Sequence, residues 1–552
     1  MRSPSLCFIV LIRRTSPSPP LTETFPHKFV GSDVFPRALA ESTIVPEDKR
    51  KPIDIPRDYT ATDLDVEHRL AYFREDLGIN LHHWHWHLVY PFAGPEQIVK
   101  KDRRGELFYY MHQQIIARYN VERMCNNLPR VRKFNNFRET IREGYFPKLD
   151  STLGSRAWPG RFSDVAIKDV SRESDQLEFE IMDLERWRDR LYDSIHAGAV
   201  QDLQGRSVPL TESRGIDILG DMIEASMFSS NRNVYGDLHN FGHLAFACCH
   251  DPDGRHLEPV GVMGDVATAM RDPIFYRWHA FIDEIFQEHK ATLPRYTQEQ
   301  LNFPGVRISK VEVVTQGRPA NQLHTYWQQS VIDMQRGTAR VFIGPKFDER
   351  GVPWNFNDHR LMFIELDKFF VTLKQGTQTI ERKSSQSSVT IPFDRTFRSL
   401  GPQNRPDDNA PGIAAFNFCG CGWPQHMLIP KGLEGNGLPC QLFVMISDFS
   451  QDKVDLPRQQ GQCSDAASYC GIRDSMYPDK RSMGYPFDRV ARDNVDRLED
   501  FLTPNMRSVD VSIIHNNRTV DQSGAQVQQL ASRFGQSKPT QQKPNQQGNR
   551  WN

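Results

Sequence analysis

Four histidines crowd into six positions of the segment Leu81-His82-His83-Trp84-His85-Trp86-His87. A helix brings residues four apart onto one face, so His83 and His87 form a pair one turn apart. His82 and His85 fall on a different side and are expected in supporting or surface positions, with Trp84 and Trp86 as packing. Two imidazoles do not saturate a metal ion, so a third ligand is required. His112 is the candidate. The apolar run Glu106-Leu107-Phe108-Tyr109-Tyr110-Met111 continues through it to Ile115 and Ile116 without a breaker, and a buried ring there needs a partner.

The pattern recurs once. His239 and His243 are again four apart, and His279 follows on a helix where it shares a face with Phe275, Ile282 and Phe286. A lone inward histidine is usually a hydrogen-bonded core residue. Two pairs, each with a later inward histidine, point instead to two metal ions in a four-helix-bundle core. All-imidazole ligation suits copper, zinc or nickel and disfavours magnesium and calcium. No His-Glu-x-x-His stands here, so a zinc protease is unsupported. No Glu-x-x-His recurs around the ligands, so neither is a di-iron carboxylate bundle. Two three-histidine sets without a carboxylate fit a copper pair best.

The period of the chain changes along its length. Residues 1–57, rich in Pro, Ser and charge, read as a linker or the remnant of a preceding domain. Residues 58–300 are mainly helical: Ile216, Leu219 and Ile223 recur at helical spacing, and Asp272-Pro273 is a helix start. From 301 to 519 the alternation of Val306/Ile308, Val311/Val313 and Val509/Val511/Ile513, with Leu361–Leu373 and Leu442–Ile446, reads as strands. The expected fold is therefore multidomain α+β, a mainly helical domain followed by an antiparallel β-sandwich. Residues 520–552 form a Gln-rich tail expected to be disordered.

The net charge of −1 over 552 residues argues against nucleic acid as a partner. No apolar run is long enough to span a membrane. The short apolar run Leu6–Ile12 between arginines resembles a signal peptide only faintly. Five of nine cysteines lie between 419 and 470. The one-residue gap in Cys419-Gly-Cys421 is not that of a zinc knuckle, so disulfides and an oxidising compartment are the better reading.

The stretches Phe73–His87 and Lys101–His112 resemble the first copper region of arthropod prophenoloxidases. Asn231–His243 and Met263-Gly264-Asp265 through His279 resemble the second. Cys419-Gly-Cys-Gly-Trp-Pro-Gln-His426 is similar to a stretch typical of the phenoloxidase branch. The likeness runs from about 25 to 515 and places the chain, by resemblance, in the phenoloxidase/hemocyanin type-3 copper family. It implies one copper held by His83, His87 and His112 and another held by His239, His243 and His279. It also implies that the β-sandwich is immunoglobulin-like, and that Cys419 pairs with Cys463 and Cys421 with Cys470. Cys7, Cys125, Cys248, Cys249 and Cys440 stay unassigned.

The activity implied is oxidation of o-diphenols to o-quinones and hydroxylation of monophenols, with O2 as co-substrate. Melanin formation, innate immunity and cuticle sclerotisation are its settings. Tyrosine, dopa and dopamine-like phenols are the expected substrates, a homo- or heterodimer the expected assembly, and serine proteases the expected activators. The expected location is the hemolymph, reached without a classical signal peptide; the sequon Asn517-Arg518-Thr519 bears on that route. A hemocyanin-like oxygen carrier and an inactive truncated or storage relative are the alternatives. A phenol loses its proton only near pH ~10, so a base is needed. The resemblance assigns that role to Glu224, beside an apolar helical face where burial raises a carboxyl pKa. Asn240, next to His239, is expected to orient a water toward Glu224. The family's N-terminal helical domain is largely missing from the sequence, which leaves an open pocket or an incomplete fold as expectations.

Overall fold

The computed structural model describes residues 46, 49, 65–147, 149, 158–316, 322–331, 335–391, 422–455 and 476–515. The apolar run at 6–12, the tail 520–552, the sequon, and all four cysteines of the two expected disulfides lie outside them. Of the expected linker 1–57, only 46 and 49 are within.

Among the described residues, six long helices organise the first part: α1 (Leu77–Val89), α2 (Arg104–Met124), α3 (Ile181–Ala197), α4 (Gly215–Ile223), α5 (Leu238–Ala247) and α6 (Pro273–Thr292). Each begins or ends for a local reason. The Asp76 side chain caps α1 by accepting from the Ile79 amide. The helix stops at Tyr90 because Pro91 follows, and a residue before proline is pushed out of the helical region. Asp237 caps α5 through the Asn240 amide, and Asp272 caps α6 with Pro273 in its first turn. Helices α2 and α4 cross glycine to glycine: a Cβ on Gly105 would meet the Asp217 carbonyl oxygen at 2.0 Å, and one on Gly220 would meet the Gly105 oxygen at 2.0 Å. That approach brings the first turn of α2 against the end of α4.

Every residue of α2 is buried, although its second half carries Gln113, Gln114, Arg118, Asn120, Glu122 and Arg123. The helix is enclosed because it lies between the two domains. Gln113 and Gln114 donate to the Leu361 and Phe363 carbonyls (both 3.1 Å), and the Tyr110 hydroxyl donates to Glu365 (2.6 Å). These three are satisfied by the β domain rather than by water, while Asn120 accepts from the Val131 amide and Arg123 pairs with Glu67 within the helical part.

The second part is a pair of antiparallel sheets. Strands β1 (Val306–Gln316), β2 (Gln322–Val331) and β5 (Gly376–Lys383) form one, in the order β1-β2-β5. Strands β3 (Gln335–Pro345), β4 (Ile364–Leu373), β8 (Leu438–Asp448) and β9 (Met506–Ile513) form the other, in the order β9-β8-β3-β4. The expected strand from Leu361 starts at Ile364, after a 3-10 turn over Arg360–Met362. A short parallel bridge joins β6 (Thr390–Ile391) to β7 (Trp423–Pro424). Phe342, Phe356, Phe363, Phe443, Phe487 and Phe501 build an aromatic core on one side of the larger sheet.

Candidate metal centre

The six histidines singled out in the sequence converge in the helical core. Helix α1 supplies His83 and His87, α2 supplies His112, α5 supplies His239 and His243, and α6 supplies His279. Ligand atoms of His83, His87 and His112 lie within 4.8 Å of one another, as do those of His112, His239 and His279. His112 thus belongs to both groupings, and its ring stacks on His279 with centroids 4.4 Å apart. His243 stands beside the second grouping, its ring 4.6 Å from His239 and 5.2 Å from His279.

Which ring nitrogen faces inward is set by hydrogen bonds at the other. Nδ1 of His83 lies 2.8 Å from the Val266 carbonyl and that of His243 lies 2.9 Å from the Met263 carbonyl. His112 and His279 use the carbonyl one turn back on their own helices, Phe108 at 2.8 Å and Phe275 at 2.9 Å. His239 uses the side-chain oxygen of Asn240 at 3.1 Å. Each acceptor oxygen requires an Nδ1–H, which leaves the Nε2 lone pair free. Two carbonyls of a single turn, Met263 and Val266, orient one histidine from each triad.

The donor set fits metal ions. Nε2 of His83 and His87 are 3.2 Å apart, as are Nε2 of His239 and His279. Two nitrogens ligating one ion at roughly 2.0 Å in a tetrahedral arrangement stand about 3.3 Å apart. Nε2 of His112 and of His243 are buried without a hydrogen-bond partner. Burial pushes all six imidazoles down, His83 to about 3 and His243 to about 4, the others well below their ordinary value. They are therefore neutral at pH 7, the form that ligates. Phe275 stacks on His279 (4.0 Å) and edges His83 (5.1 Å), while Phe108 lies against His112 (4.5 Å) and His239 (5.0 Å). These rings wall the centre from water. His87 and His243 alone of the six keep partial exposure, so the centre comes nearest to solvent on their side.

Glu224 lies at the end of α4, fully buried. Its Oε1 is 3.7 Å from Nδ1 of His87, and its Oε2 is 2.7 Å from the Arg104 guanidinium. Burial raises its pKa to about 7, against the opposing pull of Arg104. The Asn240 amide nitrogen donates to the Glu224 main-chain oxygen (2.8 Å) and to Asp237 (3.2 Å). Both ends of that amide are engaged, one by the Glu224 backbone and the other by the His239 ring.

The surface position considered for His82 and His85 does not hold: both are buried, and the His82 ring stacks on Trp423 of the β domain, centroids 4.0 Å apart. Arg104 was not legible as a site residue. It stands in the charged run Lys101-Asp102-Arg103-Arg104, which reads as solvated, yet it is buried at the Gly105–Gly220 crossing. The carbonyl acceptors carry no sequence signal at all, being main chain. Cys125, Cys248, Cys249 and Cys440 are free and buried. Among the described residues no helix is long and apolar enough to cross a membrane.

Known proteins resemble this chain in sequence and fold. Residues 20–286 match the family described as hemocyanin, copper containing domain, and residues 295–339 and 333–515 match hemocyanin, ig-like domain. Phenoloxidase 1 of Holotrichia diomphalia is 57% identical over 539 residues, covering 91% of this chain and 78% of that one. Phenoloxidase 2 of Drosophila melanogaster is 57% identical over 540 residues, with the same coverage of 91% and 78%. Among solved structures, a crustacean hemolymph-type prophenoloxidase superposes with a TM-score of 0.72 at 30% identity, covering 93% of this chain and 81% of its own. A scorpion hemocyanin in its activated state gives 0.73 at 39% identity, covering 92% and 85%.

Proposed function

Because the chain belongs to the hemocyanin family of copper-containing proteins, and within it matches phenoloxidases over most of its length, we propose that it is a copper-dependent phenoloxidase using a dinuclear centre. The observation that carries the reading is the set of six neutral imidazoles whose Nε2 atoms converge, five of them fixed by an oxygen at Nδ1. His83, His87 and His112 are proposed to hold one copper, and His239, His243 and His279 the other. Copper held there would supply the redox chemistry that couples oxidation of a phenol to reduction of O2.

The protein's own residues do the rest. Phe108 and Phe275 exclude water from the inner face. A phenol ring is proposed to approach from the side of His87 and His243, the two partly exposed ligands. A phenol with an ordinary pKa near ~10 must lose its proton to bind as phenolate, and Glu224 is proposed to accept it. Its raised pKa matches the task, since a carboxylate of ordinary acidity is too weak a base to hold a phenolic proton. Asn240 holds the His239 ring and the Glu224 backbone in register. Phenolic small molecules are the substrates. The expected pairings of Cys419 with Cys463 and Cys421 with Cys470, activation by serine proteases, a dimeric state and an extracellular location remain part of this proposal.

The scorpion relative favours one rival, an oxygen carrier using the same six histidines. Adding dopa to copper-loaded protein separates the two. Dopachrome colour at a rate proportional to protein supports the enzyme. Reversible O2 uptake with no quinone supports the carrier and overturns the proposal.

A further inference from the structure

Among the described residues, the β-domain segment 423–428 packs against the start of α1 and against α2, the two helices that carry His83, His87 and His112. The Trp423 ring stacks on His82, tilted by 13°, one residue before His83. A Cβ on Gly78 would meet Cβ and Cγ of Pro424 at 2.9 Å, so only glycine lets the proline ring sit this close to the first turn of α1. His426 Nε2 stands 2.7 Å from Oδ2 of Asp76, whose other oxygen caps α1. The Arg118 guanidinium of α2 lies 4.4 Å from the Trp423 ring and donates to the Met427 and Leu428 carbonyls at 2.8 and 3.2 Å. The segment is itself anchored: the Trp423 amide donates to the Val389 carbonyl at 2.9 Å, and Thr390 and Ile391 pair with Trp423 and Pro424.

We infer that residues 423–428 are a brace that positions the His83/His87/His112 half of the metal centre, with Trp423 and His426 as positioning residues that touch no ligand atom themselves. The argument is one of leverage. Helix α1 has thirteen residues and ends at a proline. Its cap, its first turn and the residue next to His83 are all held from the β domain. The other triad is seated on the helical part: α5 rests on the turn containing Met263, which also steadies His83 through Val266, and α6 packs on α2, α3 and α4. Slackening the brace should therefore loosen one ion site and spare the other.

The inference rests on the copper reading above, and the test separates the two. Wild-type protein, Trp423→Leu and Trp423→Phe are loaded with copper and dialysed against a graded chelator; copper per chain is measured together with the EPR signal of uncoupled Cu(II). Loss of fixing contacts around ligands weakens metal by roughly 10–100-fold. Trp423→Leu is expected to release one copper of two at a chelator strength that leaves wild type full, and an EPR signal should appear because the remaining ion has lost its neighbour. Trp423→Phe, which still stacks on His82, should restore the wild-type profile. Gly78→Ala, whose methyl wedges against Pro424, is the second variant and should reproduce the half-loaded state. Equal copper retention in all chains overturns the brace, as does parallel loss of both ions from a chain with native circular dichroism. If both variants lose their fold, the segment is a fold element only, and the inference fails too. Wild-type protein that takes up no copper overturns the copper reading and the brace together.

Discussion

Nδ1 of His87 faces Oε1 of Glu224 at 3.7 Å, whereas the Nδ1 atoms of the other five histidines meet an oxygen within hydrogen-bond distance. His87 is also one of the two partly exposed histidines of the centre. The carboxylate is therefore buried behind a partly exposed histidine, held by Arg104 but not saturated by the histidine. Glu224→Gln keeps the shape and removes the base. Monophenol turnover should fall by about 10²–10⁴-fold, with a smaller loss for diphenols, measured as kcat on each class with copper content held equal. Equal losses on both would show that Glu224 supports the fold of the centre rather than proton transfer.

Arg104 ties three elements together. Its guanidinium meets Glu224 at 2.7 Å and Asp221 at 3.1 Å on or beside α4, and donates to the Pro91 and Tyr90 carbonyls just beyond α1 at 3.0 and 3.3 Å. Arg104 and Glu224 are out of water while Asp221 is partly exposed and keeps Ser226 as a donor, so removing the cation strands the Glu224 carboxylate. Arg104→Met should cost about 3–5 kcal/mol, the range for breaking a buried pair by deleting one partner. Arg104→Lys should recover only part, because a point charge cannot serve both the carboxylates and the carbonyls. Urea unfolding of the copper-free chains measures both. A loss under about 1 kcal/mol for Arg104→Met would place the pair in the weak class typical of solvated ion pairs.

Asn240 is the sole side chain among the oxygens that fix the five rings; the other four acceptors are carbonyls. It is thus the one fixing contact that a side-chain substitution can delete, together with its bonds to the Glu224 carbonyl and Asp237. Asn240→Ala frees the His239 ring to rotate or change tautomer. Copper affinity should drop by roughly 10–100-fold, and the copper-free protein should lose about 1–3 kcal/mol from the acceptors left unpaired. Chelator competition and a melting curve test the two halves separately; unchanged affinity would mean that the ring is held by packing against Phe108.

The sequence carried the centre further than the scaffold. His83/His87 and His239/His243 were visible because helix spacing turns a gap of four into a shared face, and that spacing survives any tertiary context. What supports them was not visible. Met263 and Val266 act through main-chain oxygens, which no side-chain pattern encodes. Arg104 is buried at a helix crossing and the second half of α2 is a polar run buried between two domains, and a linear reading assigns both to solvent. Strands β2, β3 and β5 were also not singled out. β2 is rich in Gln, and β3 is buried on both faces over most of its length, so neither alternates. β9 and β1, by contrast, showed themselves through Val509/Val511/Ile513 and Val306/Ile308.

Asp479 tests the seam between the domains by pH. Its carboxylate meets Arg340 at 2.6 Å and Lys368 at 3.4 Å, and its main-chain oxygen accepts from Arg103 at 2.6 Å, at the start of α2. Burial alone would raise the carboxyl, but the Arg340 and Lys368 charges outweigh it and hold the pKa well below its ordinary value of 3.8. A depressed folded pKa means that the folded state binds the proton less readily than the unfolded chain. The stabilisation is therefore complete above the unfolded value, near ~4, and drains away as pH falls below it. Asp479→Asn should cost about 3–5 kcal/mol at pH 7 by leaving two buried cations short of a partner. The gap between wild type and variant should stay constant down to about pH 5 and narrow below about pH 4. Urea midpoints of the copper-free chains across that range give the answer. A gap that widens on acidification would reverse the sign and show that Asp479 is protonated, not charged, in the native seam.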